Sequence, residues 1–245
     1  MQSSKRPNPF VNRQPLSGTG REAFLARVRK GLGHDLGKSP VAGAAPVLEQ
    51  SLIRQVAGDD AGRVERFVRK MTENKGVVKR VAADRAAVLA AVDECLAAHA
   101  VKRGLMNLQF LGADFGVQEH LRGRGVQTIE WGSAECFKES FSCDVSITDA
   151  RAGLADTGAL LVWSDVGFGR SSTLVVPVHV TLLPASRILG DMIDGLDLVL
   201  RQNNGAMPSN VVVINGPSKT GDIEMKLVTG VHGPKYMYVI VIEGM

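Results

Sequence analysis

Between about residues 58 and 149, short apolar runs alternate with amphipathic segments, and this rhythm limits the fold more than any other feature of the chain. The segment AGRVERFVRKMTENKG spaces Val64, Phe67, Val68 and Met71 on one helical face and stops at Gly76, and VVKRVA follows as a strand. Asp84 is placed to cap RAAVLAAVDECLAAHA, whose alanines favour helix intrinsically. LMNLQFLG, VQTIEW and CDVSITDA read as further strands. Between them lie a helix in ADFGVQEHLRGRG and a short one, begun by Ser133, in SAECFKESF. Strands joined through helices by short turns predict an α/β fold, with a mixed, mostly parallel sheet flanked by helices on both faces.

The second half reads differently. ALLVWSD (159–165) and STLVVPVHVTLLPA (172–185) are separated only by turns, which predicts hairpin or mixed pairing. SRILGDMIDGLDLVLRQ is an amphipathic helix with Ser186 as its N-cap, NVVVIN a buried strand and KYMYVIVIEG the last strand. Ahead of all this, residues 1–19 are polar with Pro7, Pro9 and Pro15, and read as a disordered basic tail. REAFLARVRKGLG spaces Phe24, Leu25, Val28 and Leu32 as a helix, and KSPVAGAAPV is a linker by composition. The expected organisation is thus a tail over 1–19, a tethered helix and linker over 20–48, and the main domain over 49–245.

The net charge of +4 is concentrated in the arm: residues 1–38 carry eight basic groups against two acidic, and the remainder 21 basic against 23 acidic. A nearly neutral domain with 5% aromatic residues argues against nucleic-acid binding, which favours a basic stripe with aromatic platforms on the fold itself. Cys95, Cys136 and Cys143 have neither the number nor the spacing of a zinc ribbon or an iron–sulfur ligand set, so buried thiols in a reducing cytoplasm are expected. The N-terminus has no apolar signal core, and the longest apolar stretch, 173–185, is too short and Pro-broken to span a bilayer. The expectation is a cytoplasmic protein without a membrane span.

Three segments could carry chemistry. In INGPSKTGDIE a strand runs into a Gly216-Pro217 turn, then Ser218, Lys219 and Thr220. If a helix starts here, its open N–H groups, the lysine charge and the hydroxyls would hold a phosphate or carboxylate, and Asp222 and Glu224 would meet the dipole in the first turn. A turn with acidic capping is the plainer alternative. A P-loop is excluded, because Ile214 stands where its first glycine belongs and Ser218 precedes the lysine. In GLADTGALLVW, Asp156, Thr157 and Gly158 resemble half of an aspartic-protease loop. The second aspartate such a site needs has no counterpart, so a polar turn or a ligand-facing loop remains. In RSSTLVVPVHV, Arg170 suits carboxylate or phosphate recognition, and His179 on a strand reads first as a satisfied, half-buried residue. His232 and Gly233 lie in the tight turn GVHGP, where an imidazole can titrate or bond its own backbone. No HxH or HxxxH spacing supports a metal site, and neither GxSxG nor GxGxxG is present; the two glycines of DVGFGR (165–170) fit a loop rather than a dinucleotide turn.

Taken in order, LADTGALLV, the Arg-Ser segment leading to VPVHVTLLP, and GPSKTGDIEMKLVTGVHGPKYMYVIVI resemble the lactate-utilization (LUD) domain family, specifically its lactate utilization protein C members. The match covers about residues 150–242, whereas 58–149 agree only in helix–strand rhythm. Asp156, Thr157, Gly158, His179, Gly216, Pro217, Ser218, Lys219, Thr220, Asp222, Ile223, Glu224, His232 and Gly233 fall on motif positions, with Lys219 in place of a commoner Arg and Gly221 in place of Ala. The resemblance implies a fold of the NagB/RpiA/CoA-transferase-like group. It also implies a three-part bacterial system that oxidises L-lactate to pyruvate, in which partner subunits carry iron–sulfur clusters. This chain would be the cluster-free component, without a cofactor of its own, holding a small anionic ligand. The alternative is a stand-alone enzyme of the wider fold group, a CoA transferase, sugar-phosphate isomerase or folate cyclo-ligase, for which Glu130 at a strand end is the positional nucleophile.

Overall fold

The computed structural model describes residues 20–32, 59–109, 111, 115–133, 136–165, 167–220 and 228–245. The tail 1–19, the linker, Asp222 and Glu224 lie outside them. The chain divides into two compact units, Met1–Ile53 and Arg54–Met245. The first contains helix α1 (Arg21–Leu32), where one was expected.

In the second unit, α2 (Asp60–Glu73) starts on the N-cap Asp59, whose carboxylate accepts from Gly62 N at 2.8 Å, and buries Val64, Phe67 and Met71. β1 (Val77–Ala82) follows, then α3 (Arg85–Leu96), capped as expected by Asp84 through Ala87 N at 3.0 Å. β2 (Arg103–Asn107), α4 (Val117–Gly123), β3 (Gln127–Glu130), α5 (Cys136–Glu139) and β4 (Val145–Asp149) complete the alternating half. β2 begins and ends earlier than the apolar run suggested, because its register is set by β3 and β4 rather than by hydrophobicity alone. α4 is shorter than ADFGVQEHLRGRG, starting after Gly116 in the left-handed conformation.

β4, β2 and β3 join β7 (Val178–Pro184), β12 (Tyr236–Glu243) and β1 in a six-stranded sheet of order β1-β12-β7-β4-β2-β3, parallel throughout. β4 and β7 are buried at every position, as expected of a sheet covered on both faces. On one face Val145, Ile147, Val180, Leu182 and Ile240 pack against Val88, Val92 and Leu121 of α3 and α4. On the other, Leu183, Val239 and Val241 meet Val64, Phe67 and Met71 of α2, together with Leu160 and Val162.

Those last two residues belong to β6 (Ala159–Trp163), part of a second sheet of order β8-β5-β6-β9. It is formed with β5 (Ala152–Leu154), β8 (Ile188–Leu189) and β9 (Val211–Ile214). β6 pairs antiparallel with β5 and β9, and β5 pairs parallel with β8, so mixed pairing is present. It does not join β6 to β7: they lie in different sheets, and a 3₁₀ turn at Arg170–Thr173 replaces the start of the expected strand. Helix α6 (Met192–Gln202) covers the small sheet through Val199, which meets Ala152, Leu161 and Trp163. Its N-cap is Asp191, accepting from Ile193 N and Asp194 N at 2.8 and 3.0 Å, and not Ser186. The chain first bends through a 3₁₀ turn and β8, where Ile188 pairs with Gly153. β9 is half-exposed rather than buried, since among the described residues it pairs with β6 alone.

Phe67 is fully buried between the two sheets. Phe67→Ala is expected to cost about 3–5 kcal/mol of unfolding free energy, read as a lower urea midpoint of the 54–245 unit.

Candidate functional site

The motif segments converge on the C-terminal end of α2. A helix leaves its last carbonyls without intrahelical donors, and α2 ends in a Schellman arrangement: Gly76 N donates to Met71 O at 3.0 Å and Lys75 N to Thr72 O at 2.9 Å. Lys75 takes the left-handed φ of 73° that a glycine would usually supply. The cap residue Asn74 keeps its own carbonyl for Lys219, whose Nζ donates to it at 2.8 Å. The Asn74 side-chain amide donates to Thr157 O at 3.1 Å and to Asn215 Oδ1.

Two motif glycines are dictated by this approach. Gly158 has φ of 70°, and a Cβ there would lie 2.3 Å from Met71 N; Gly216 has φ of 79°, and a Cβ would lie 2.4 Å from Asn74 O. Any side chain would be strained at both and would push the helix end away. Thr157, Gly216 and Lys219 therefore meet around one residue, Asn74, that sequence reasoning did not single out, and Gly158 packs on the helix just before it. The Asn-Lys-Gly ending of TENKG was the available signal.

A helix start was expected after Ser218. The first turn that Asp222 and Glu224 would occupy lies outside the described residues; just before it, Lys219–Thr220 form β10, pairing antiparallel with β11 (Val228–Thr229). Ser218 N donates to Pro234 O at 2.9 Å and Gly230 N to Ser218 O at 3.0 Å, and a Cβ on Gly233 would lie 3.2 Å from that of Ser218. The GPSKT and VHGP segments are thus one folded unit, with Lys219 and His232 exposed and Ser218, Thr220 and Gly233 half-buried. The helix-dipole end that Lys219 touches is the negative one, where a cation is favourable.

The remaining motif residues stand apart. Asp156 lies in the β5–β6 turn and accepts from Thr157 Oγ1 at 3.1 Å. Arg170 is exposed at the head of the 3₁₀ turn, its carbonyl taken by Thr173 Oγ1 at 2.8 Å. His179 is 1% exposed rather than half-buried. Its Nε2 lies 2.9 Å from Thr148 Oγ1 and 3.0 Å from Thr181 Oγ1, within a buried polar stripe that also contains Ser146. Burial pulls its pKa down to about 4, so the imidazole is neutral and structural near pH 7.

Cys95, Cys136 and Cys143 are free and buried; burial pushes the Cys95 thiol up to about 11 and raises that of Cys143. Among the described residues no three His, Cys, Asp or Glu gather as a metal site, and no helix is long and apolar enough to cross a membrane.

The chain also places polar groups at the opposite, C-terminal edge of the parallel sheet. β2 lies between β3 and β4, so the chain reverses direction across the sheet there, and open α/β sheets bind ligands in such crevices. A cleft of about 380 Å³ opens at that point, lined by Asn107, Gln109, Gln118, Glu119, Glu130 and Trp131 among others. Of these, only Glu130 was anticipated. The signal for Asn107 was a polar residue closing β2, as Glu130 closes β3 and Asp149 closes β4.

His179 yields a pH prediction. Its folded pKa is depressed below the ordinary 6.5, so the unfolded chain binds the proton more tightly. The contribution is present above about pH 6.5 and is lost as pH falls towards 4, amounting to up to about 3 kcal/mol. Urea unfolding across this range should show that loss in the wild type, and a smaller one in His179→Gln.

A comparison with family models finds the LUD domain over residues 64–242. Lactate utilization protein C of Bacillus subtilis is 37% identical over 124 residues, covering 48% of this chain and 51% of that protein. The protein of the same name from Macrococcus caseolyticus is 32% identical over 132 residues, covering 53% and 57%. The aligned part of this chain thus spans about half the length of the curated relatives it matches. Among solved structures, a DUF162 family protein from Deinococcus radiodurans superposes with a TM-score of 0.57 at 16% identity, over 76% of this chain and 99% of that one, which supports the α/β fold. The motifs gathered at the end of α2 lie within the matched region, and the chain belongs to the LUD domain family.

Proposed function

We propose that this chain is the cluster-free component of a cytoplasmic bacterial system that oxidises L-lactate to pyruvate, working with iron–sulfur subunits. The observation that carries this reading is LUD-family membership across residues 64–242, with relatives named lactate utilization protein C. Oxidation of lactate to pyruvate releases two electrons and two protons, and the electrons need a redox carrier. The three cysteines suit a cluster poorly, being dispersed between two separate core clusters, with the Cys95 and Cys143 thiols pushed up by burial, so the carrier belongs to partner subunits. Residues 20–48 serve on this reading as a tethered helix and linker ahead of the domain.

The small anion is received on the outward side of the folded motif unit, by Lys219, Ser218, Thr220 and His232. Lys219 spends one of three ammonium hydrogens on Asn74 O, and the others remain for a carboxylate. Asp156, Thr157, Gly158, His179, Gly216, Asp222, Glu224 and Gly233 complete the candidate set by motif position, and Arg170 by its guanidinium chemistry. Isothermal calorimetry with L-lactate and pyruvate, partners present, tests this: Lys219→Ala should weaken binding roughly ten- to hundredfold, as for a charge-assisted hydrogen bond. Its stability loss should stay within about 1 kcal/mol, the usual range for a cation at a helix C-terminus. A variant that loses stability and keeps its affinity would make Lys219 a helix cap only.

The role itself is tested by purification from the native host, followed by lactate-oxidation assays with and without this chain. Iron–sulfur subunits should co-purify, and oxidation should fall when the chain is omitted. The exposed position of Glu130 in the strand-end cleft favours the second reading, a stand-alone enzyme of the CoA-transferase, sugar-phosphate isomerase or folate cyclo-ligase kind. Turnover by the isolated chain would select it.

A further inference from the structure

The strand-end cleft is built from side chains that hold one another in place. Glu130, the last residue of β3, accepts from Gln118 Nε2 at 2.6 Å and from Arg122 at 3.4 Å. Gln109 is clamped at both ends: its Oε1 accepts from Arg151 at 2.9 Å, and its Nε2 lies 3.4 Å from Asp165 Oδ1. Arg151 is 9% exposed, pairs with Asp165 and lies 4.9 Å from the centroid of the Trp163 ring. Burial alone would raise the Asp165 pKa; the Gly167 N–H, Gln109, Arg151 and the Phe168 N–H outweigh it and hold it below the ordinary carboxylate value. Asn107, 3% exposed, donates to Ser172 Oγ at 2.9 Å.

The glycines of DVGFGR complete the wall. A Cβ on Gly167 would lie 2.2 Å from Gln109 Nε2, and one on Gly169 would lie 1.9 Å from Trp131 Cζ2. The loop therefore lies directly on the amide and the indole edge, which explains why glycine stands at both positions.

The amide N–H groups of Asn107 and Gln118 are engaged inside the protein. What this lining chiefly offers a ligand is acceptors, the carbonyl ends of those amides and the Glu119 and Glu130 carboxylates, beside one indole. Among the described residues no lysine or arginine lines the cleft; Arg122 bonds Glu130, and Arg151 stands behind Gln109. Acceptors of this kind repel a free anion and suit a planar ring carrying N–H donors, since carboxylates accept from exocyclic amino groups and aromatic side chains stack on bases.

We propose that the cleft between the C-terminal ends of β2 and β3 binds an uncharged nucleobase or nucleoside, stacked on Trp131 with its amino edge on Glu130 and Gln118. The site lies at the sheet edge opposite the motif unit and does not depend on the reading of that unit. Adenosine, cytidine and guanosine are the probes, titrated into the full chain by calorimetry and by tryptophan fluorescence. Trp163 is 2% exposed and lies outside the cleft lining, so quenching reports on Trp131. At least one nucleoside is expected to bind and quench, its 5′-monophosphate about tenfold more weakly because of the two carboxylates. Glu130→Gln should weaken nucleoside binding by about tenfold, as loss of a charged acceptor does. Its side chain is 62% exposed, so this variant keeps the fold; Trp131→Leu should remove the signal and the binding together. The proposal is overturned if none of the three nucleosides binds, if the monophosphate binds more tightly than its nucleoside, or if Glu130→Gln binds as the wild type does.

Discussion

The end of α2 is the constraint on which the rest of the 54–245 unit depends. Its Schellman turn delivers the chain into β1 within three residues, so the position of this one helix end sets where the edge strand begins and hence its register on β12. The turn is not self-sufficient. Lys75 occupies a left-handed conformation at a cost of about 1 kcal/mol or more, and the Asn74 carbonyl and amide are satisfied from segments more than 80 and 140 residues away. Gly158 and Gly216 are small because the helix end occupies the space their side chains would need. The most recognisable residues in the sequence are thus, in part, the fittings of a helix terminus.

A second constraint is the polar stripe within the large sheet. Ser146 and Thr148 of β4 face His179 and Thr181 of β7 in register, all buried. A histidine can be accommodated there because two hydroxyls surround Nε2 and because the ring stays neutral; protonating it would place a charge in a site that offers no carboxylate to it. The 3₁₀ turn led by Arg170 lies over the same region and ties it to β2 through the Ser172–Asn107 bond. The Pro-x-His strand and the Arg-Ser segment therefore both pack on β4, although neither touches the end of α2 through the bonds described.

Local rules made much of this legible. The caps Asp84 and the α2 face Val64-Phe67-Met71 follow from spacing and side-chain chemistry alone, and the parallel sheet follows from alternation. Ser186 misled because a good capping residue also occurs in a 3₁₀ turn, and only the pairing of Ile188 with Gly153 shows that the helix has not yet begun. The segment after Ser218 holds a related lesson: Lys219 and Thr220, which local sequence reads only as the tip of a turn, pair in a ladder with Val228 and Thr229. Partners distant in sequence decided each case. The strand-end cleft went unread because its residues are single polar positions at separate strand ends, with no spacing to mark them.

The two edges of the parallel sheet carry opposite chemistry. At the N-terminal edge, where β7 and β12 begin, Lys219 and Lys235 accompany the exposed His232, while the carbonyl end of α2 draws positive charge. Lysine also suits position 219 itself. A single carbonyl is a single acceptor, and one ammonium hydrogen meets it, whereas a guanidinium fork is matched to a carboxylate with two oxygens. At the C-terminal edge, Glu119, Glu130, Asp149 and Asp165 dominate, and the nearby arginines Arg122 and Arg151 are paired with them. On the readings proposed above, an anion is favoured at the first edge and repelled at the second, while an uncharged donor-rich ring gains at the second alone. If both sites are filled, the strands β7, β4 and β2 and the Ser172–Asn107 bond are the rigid connection between them. Ligands at the two edges would then be coupled only by whatever strain this rigid sheet transmits, so small coupling, and separate titration of the two sites, follows from the architecture.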